Sequence, residues 1–180
     1  MLKIKKLFFG GFIMKKLLKE NKGFSLVELL IALLIMAVIA GTAITLFGGV
    51  LETSKVRADN ETAESIKRAI LTYMNASNDT DLSCLGVADG DDEDAVLIDR
   101  LSKKITIEDT VTVTDSEGTT TDLTSATVDP NDIKGKYGPF FEKSVIEPAQ
   151  NATDGWKIEV DPLTMIISVE ATSGGSLTIN

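Results

Sequence analysis

From Leu29 to Leu51 the chain runs for 23 residues without a charged side chain. At ~1.5 Å rise per residue, a helix of that length is about 35 Å long and can cross ~30 Å of hydrocarbon. Glu28 stands directly before the run. A carboxylate carried toward a bilayer centre costs ~2.5–3.5 kcal/mol on insertion scales, and intramembrane acids tend to take partners. Two bland readings compete. A secretory signal peptide has an apolar core of only ~7–15 residues. Val38-Ile39-Ala40 would serve as its cleavage site, but Glu28 would then have no purpose. A plain single-pass anchor also leaves Glu28 unexplained.

The charge pattern sets an orientation. The chain has 180 residues with 18 basic and 27 acidic side chains, and its first 23 residues hold seven lysines and a single acid, Glu20. The remainder carries 11 bases and 26 acids, a net of −15. A basic head, an apolar span and an acidic body are expected to leave the N-terminus cytoplasmic and export the body. A body this acidic repels phosphates, which argues against a nucleic-acid site.

The side-chain inventory limits chemistry further. There is no histidine and one cysteine, Cys84. No intramolecular disulfide, Ser-His-Asp triad, Cys-His pair or CxxC motif can be drawn. Cys84 is expected to be a small buried hydrophobe.

A cut between Gly23 and Phe24 would remove the lysine-rich leader and place a new ammonium on Phe24. Glu28 lies four residues on, about 6 Å of helical rise from that amine. The amine of a neighbouring copy would then be a suitable partner for the acid. Such a contact would fix the register of one apolar helix against the next.

Gly23-Phe24-Ser25-Leu26-Val27-Glu28, followed by the apolar helix, resembles the class III signal of type IV pilins and pseudopilins. The close resemblance covers about Lys22 to Leu51. It implies cleavage after Gly23, N-methylation of Phe24, and Glu28 as the carboxylate that sets assembly register. The implied partners are a prepilin peptidase/N-methyltransferase, an assembly ATPase, a membrane platform protein, membrane lipid before assembly, and further copies of the chain. Family helices often carry a proline in the apolar half, and this one has none. Gly41, Gly48 and Gly49 are the expected weak points instead, each costing about 1 kcal/mol of helix relative to alanine. Met14 to Gly23 would suffice as a leader, so translation from Met14 is an alternative to Met1.

The rest of the chain reads as α+β. Ala63, Ile66, Ala69, Ile70, Tyr73 and Met74 recur at three- and four-residue steps, which continues the helix to about Asn75 as the spine of a head. Lys55, Arg57, Asp59 and Glu61 belong to its polar side. Asp89, Asp91, Asp92, Glu93 and Asp94 form the most acidic run. They would suit a calcium loop, but they lack the EF-hand order and suit better the start of a short helix from Asp92 to Lys103. Val96, Leu97, Leu101 and Ile105 are expected to face its core. Ile105–Ile107, Val111–Thr114, Thr119–Val128, Trp156–Val160 and Met165–Glu170 alternate as strands, and Ser176–Ile179 is expected to add an edge. The expected product is a C-terminal antiparallel sheet, mostly hairpin-connected, packed on the helix. Gly135-Lys136-Tyr137-Gly138-Pro139-Phe140-Phe141, then Pro148 and Trp156, resemble a looser pattern in pilin-like heads, and Phe140, Phe141 and Trp156 are expected to be core or lid residues.

The expected organisation is a leader (1–23), a membrane or filament-core helix (24–51), an amphipathic continuation (52–77) and an extracytoplasmic head (78–180). The expected function is structural, with no enzyme activity and no cofactor. The chain would be a prepilin held in the cell membrane by a single span, then assembled into an extracellular type IV pilus. A secretion or competence pseudopilin is the alternative, although the tail from Ala171 to Asn180 has no acid to serve as a calcium loop. A membrane-anchored binding domain that forms no filament is the reading from another class.

Overall fold

The computed structural model describes residues 23–142, 146–150 and 153–180. The expected leader, with its two candidate starts, lies outside the described residues apart from Gly23. Helix α1 runs unbroken from Leu26 to Ser77, 52 residues, two beyond the expected end. Asn78 stops it by taking a left-handed conformation (φ 61°) while its N–H still closes on the Met74 carbonyl at 2.9 Å. Asparagine is one of the few non-glycine residues that tolerate this geometry.

The described residues divide into two units, one ending at Gly48 and the other beginning at Gly49. In the first, the described part of α1 carries its large apolar side chains, from Leu26 to Phe47, fully on the surface. No stripe of this segment is set aside for a core. It is hydrophobic all round, as lipid or a surround of other helices requires.

In the second unit α1 is one-sided. Ala63, Ile66, Ala69, Ile70, Tyr73 and Met74 are all buried, so the three- and four-residue spacing read from the sequence is the packed stripe. After α1 come a 3₁₀ turn (Ser83–Leu85), β1 (Gly90–Asp91), helix α2 (Glu93–Leu101), β2 (Lys104–Ile107), β3 (Val111–Thr114), β4 (Thr120–Asp122), β5 (Gly135–Tyr137), β6 (Gly155–Asp161), β7 (Ile166–Thr172) and β8 (Ser176–Ile179). The expected long strand Thr119–Val128 reduces to Thr120–Asp122, whose three residues are all exposed. A threonine-rich segment with no buried face has little to hold it in a ladder beyond backbone pairing.

The strands form two sheets rather than one. One has the order β4-β3-β2-β5 and is antiparallel throughout, with Ile105 opposite Val113 and Ile107 opposite Val111. These four side chains are buried and alternate with exposed or half-buried threonines and Lys104, the period-2 pattern of a sheet wet on one face. The other has the order β1-β8-β6-β7. Here the expectation of an antiparallel sheet with β8 at its edge is corrected. β8 lies inside, between β1 and β6, and runs parallel to β6 with Ile158 beside Leu177. The chain leaves β7 at Thr172 and enters β8 at Ser176, so it must cross the start of β6 in three residues. Glycine permits this. A Cβ on Gly155 would lie 2.4 Å from the Gly175 nitrogen, and Gly174 takes φ 78°. Three glycines therefore decide the topology of this sheet.

The two sheets, α2 and the second half of α1 share one apolar core. Leu97, Leu101 and Ile105 face it as expected, Ile98 joins them, and Val96 is only partly covered. Trp156 is buried, and its Nε1–H donates to the Ile146 carbonyl at 2.7 Å. Phe140 packs edge-on to Tyr73 with ring centroids 6.2 Å apart. Phe141 is half-buried, and with Pro139, Lys104 and Glu142 it lines a groove of about 540 Å³. The lid-or-core expectation for the aromatic residues matches these positions. The architecture is α+β, with a long N-terminal helix whose C-terminal half packs against antiparallel and mixed sheets.

Candidate functional site

Gly23, Phe24 and Ser25 precede the helix in non-helical backbone, and Phe24 is 81% exposed. The helical rise counted from Phe24 to Glu28 therefore starts only at Leu26. A peptidase needs an accessible, non-helical bond, and the Gly23–Phe24 bond is in that state. The Ser25 carbonyl accepts the first intrahelical bond, from the Leu29 N–H at 3.1 Å. That makes Ser25 the N-cap and puts Glu28 at the third helical position, in the first turn. Ser-x-x-Glu at this spacing is the capping-box pattern, and a carboxylate there also faces the positive end of the helix dipole. Local helix chemistry therefore accounts for part of Glu28's tolerance at this place. Glu28 is nonetheless exposed, as are its apolar neighbours Val27, Leu29 and Ile31.

Gly41, Gly48 and Gly49 all lie inside continuous helix, and a Cβ built on any of them meets open space. The neighbouring threonines bond backward. Thr42 Oγ1 donates to the Ile39 carbonyl at 3.0 Å, Thr45 to Thr42 at 2.9 Å and Thr53 to Gly49 at 2.9 Å. Such bonds satisfy hydroxyls where water is absent and soften the helix ladder.

The acidic run is spread over three different tasks. Asp89 accepts the Ile179 N–H at 2.6 Å. Gly90 and Asp91 form β1, and Asp92 takes φ 63° before α2 begins. Asp94 is buried and accepts the Trp156 N–H at 2.9 Å. Two of the five carboxylates thus hold main-chain donors in the head.

Two buried acids escaped sequence reasoning. Asp59, expected on the solvated side of the helix, is only 3% exposed. It accepts the main-chain N–H groups of Ala149 (2.5 Å) and Gln150 (3.2 Å) and the Gln150 side-chain amide (2.8 Å). The segment 146–150 is thereby strapped to α1. Its i−4 neighbour Lys55 and i+2 neighbour Glu61 gave no sign of this, because the donors lie some ninety residues away in sequence. Asp79, just past α1, is 1% exposed. It accepts the Tyr73 hydroxyl at 2.6 Å and the Cys84 N–H at 3.1 Å.

Asp79 organises a polar node under the head. Burial raises its carboxyl to about 7 against the lowering effect of the Tyr73 hydrogen bond, with a hydrogen bond to Asp81 and the Asp132 charge raising it further. Burial, then the Asp79 charge, pushes the Tyr73 hydroxyl up. Burial also pushes the Cys84 thiol up, with Asp79 and Asp132 adding to it. A thiol so raised is protonated at neutral pH and is a poor nucleophile. Cys84 is buried as expected, but it also donates to Asp132 Oδ2 (3.2 Å). One ligand-type atom each from Asp79, Cys84 and Asp132 lies within 4.8 Å of the others. All three groups are already committed to hydrogen bonds inside the head, which describes a structural node.

No curated protein and no solved structure matches the chain. A family model, the prokaryotic N-terminal methylation motif, matches residues 18–44. That stretch spans the Gly23–Phe24 junction, Glu28 and the apolar half of α1 as far as Ile44. The chain thus carries a type IV pilin-like class III signal, followed by a helix apolar enough over Leu26 to Leu51 to suit a membrane anchor.

Proposed function

We propose that the chain is a prepilin that is processed and assembled into a type IV pilus. A prepilin peptidase cuts after Gly23, Phe24 becomes the N-methylated N-terminus, and the span from Leu26 to Leu51 holds the product in the membrane. Assembly then moves this helix from lipid to a bundle of identical helices. Work for that extraction comes from an ATPase and a platform protein. The acidic heads form the outside of the filament.

One observation carries the reading. The methylation motif lies on a helix that begins directly after an exposed Gly23–Phe24 junction and bears Glu28 in its first turn. The apolar surface from Leu26 to Leu51 has no partner among the described residues. Neighbouring helices would gain close packing by covering it. Glu28 would set register by meeting the Phe24 ammonium of an adjacent copy. The pseudopilin alternative gains no support from the tail. It carries no acid, and its strand β8 is built into the sheet between β1 and β6.

Glu28→Gln separates register from capping, because glutamine also completes a capping box. In cells relying on this chain, the variant should insert normally and yield no sheared filaments by electron microscopy. Wild-type filament numbers with Glu28→Gln would reduce the acid to a capping residue and remove the register role.

A further inference from the structure

We propose that the Asp79 node is a pH-responsive latch, holding residues 127–133 against the end of α1 when one proton is shared within it and loosening them when that proton leaves. The inference concerns the head alone and does not depend on filament assembly.

The latch is visible as a set of cross-links. The Thr127 N–H donates to the Ser83 carbonyl at 3.0 Å, and Ser83 Oγ donates to the Thr127 carbonyl at 3.1 Å. The Ile133 N–H donates to the Ser77 carbonyl at 2.7 Å, and Asn78 Nδ2 donates to the Asn131 carbonyl at 3.1 Å. Cys84 adds its thiol bond to Asp132. On the other side, Asp79 holds Tyr73 of α1 and the Cys84 N–H of the turn together. Two left-handed residues, Asn78 and Leu82, bracket Asp79 and fix the chain around it.

Its charge balance is unusual. The groups that face Asp79 are Tyr73 from α1, Asp81 and Cys84 from the segment leading into and through the 3₁₀ turn, and Asp132 from the latched segment. Tyr137 of β5 faces Cys84 and Asp132 behind them. Among the described residues, the ion pairs Lys103–Asp99, Lys134–Asp109 and Lys157–Glu159 do not include Asp79. Across the latch, a carboxyl oxygen of buried Asp79 and one of Asp132 lie within 4.8 Å of each other. Two carboxylates that close, one of them buried, are costly to ionise together, so the arrangement favours keeping one proton. Burial raises Asp81, but hydrogen bonding, including that from the Ser83 N–H, outweighs it and holds the carboxyl lowered, while burial raises Asp79 to about 7. The proton therefore belongs to the buried Asp79.

The sign follows from linkage. The closed node binds its proton more tightly than an opened one, whose carboxyl returns to the ordinary ~3.9. Opening therefore becomes easier as pH rises between those two values, roughly tenfold per pH unit, and levels off above about 7.

Hydrogen–deuterium exchange on the full chain in detergent reads this directly at the Thr127 and Ile133 amides, after correction for intrinsic exchange. Protection should fall about tenfold per unit from pH 4 to pH 7 and then flatten, and Asp79→Asn, which keeps an acceptor for Tyr73, should abolish the slope. A pH-independent wild-type profile, or an unchanged slope in Asp79→Asn, overturns the proposal. A carboxyl ¹³C titration of wild-type Asp79 gives a second reading that needs no variant. A midpoint near neutrality supports the latch, and a midpoint in the ordinary carboxylate range refutes it.

Discussion

At the scale of single residues, buried acids do much of the joining in this head, and they do it by accepting main-chain N–H groups. Asp59 shows the cost of losing one. Asp59→Ala leaves the Ala149 and Gln150 donors without their acceptor. A hydrogen bond to a charged acceptor is worth ~1.5–3 kcal/mol, and water reaching exposed Ala149 and half-buried Gln150 offsets part of the loss. Limited proteolysis of the variant should show faster cleavage near residues 146–150, and thermal unfolding should begin earlier. Cleavage unchanged from wild type would mean that the strap contributes nothing. These acids were the least legible feature of the sequence. Asp59 sits among Arg57, Glu61 and other charged side chains, and composition gives no reason to bury it. Its partners become neighbours only once the 146–150 segment crosses α1. Glu28 was legible for the opposite reason. It stands alone before an uncharged run, and its physics is local.

At the scale of elements, legibility followed periodicity. The stripe from Ala63 to Met74 was readable because helical spacing survives in the sequence whatever packs on it. The strands β2, β3 and β6 were readable because β-branched residues alternate with polar ones. The place of β8 was not, since strand order depends on the crossing at Gly155, Gly174 and Gly175, where no side chain announces the neighbour. The stripe makes a quantitative prediction. Ile66 is fully buried at the centre of the core. Ile66→Ala should cost ~2–5 kcal/mol through lost burial and the cavity left behind. That corresponds to a fall of roughly 6–15 °C in the unfolding midpoint of the head, followed by near-ultraviolet circular dichroism of Trp156. A fall of less than a degree or two would mean that the helix does not form the spine of this core.

At the scale of the whole molecule, one chain contains two kinds of surface with opposite needs. The first half of α1 exposes apolar side chains on every side and needs lipid or other helices. The head hides its apolar side chains and carries a strongly acidic exterior. The methylation motif spans the junction between the basic N-terminal residues and the apolar half, where the proposed proteolysis would convert the full chain into one that begins at the helix. Cleavage would remove seven lysines and leave one ammonium close to one carboxylate. The central claim is that this conversion happens. Mass spectrometry of the protein recovered from its native membrane tests it most directly. The account predicts a mature chain beginning at Phe24 with a methyl group on its α-nitrogen. A chain that keeps its leader, or that is cut at any other bond, would contradict it.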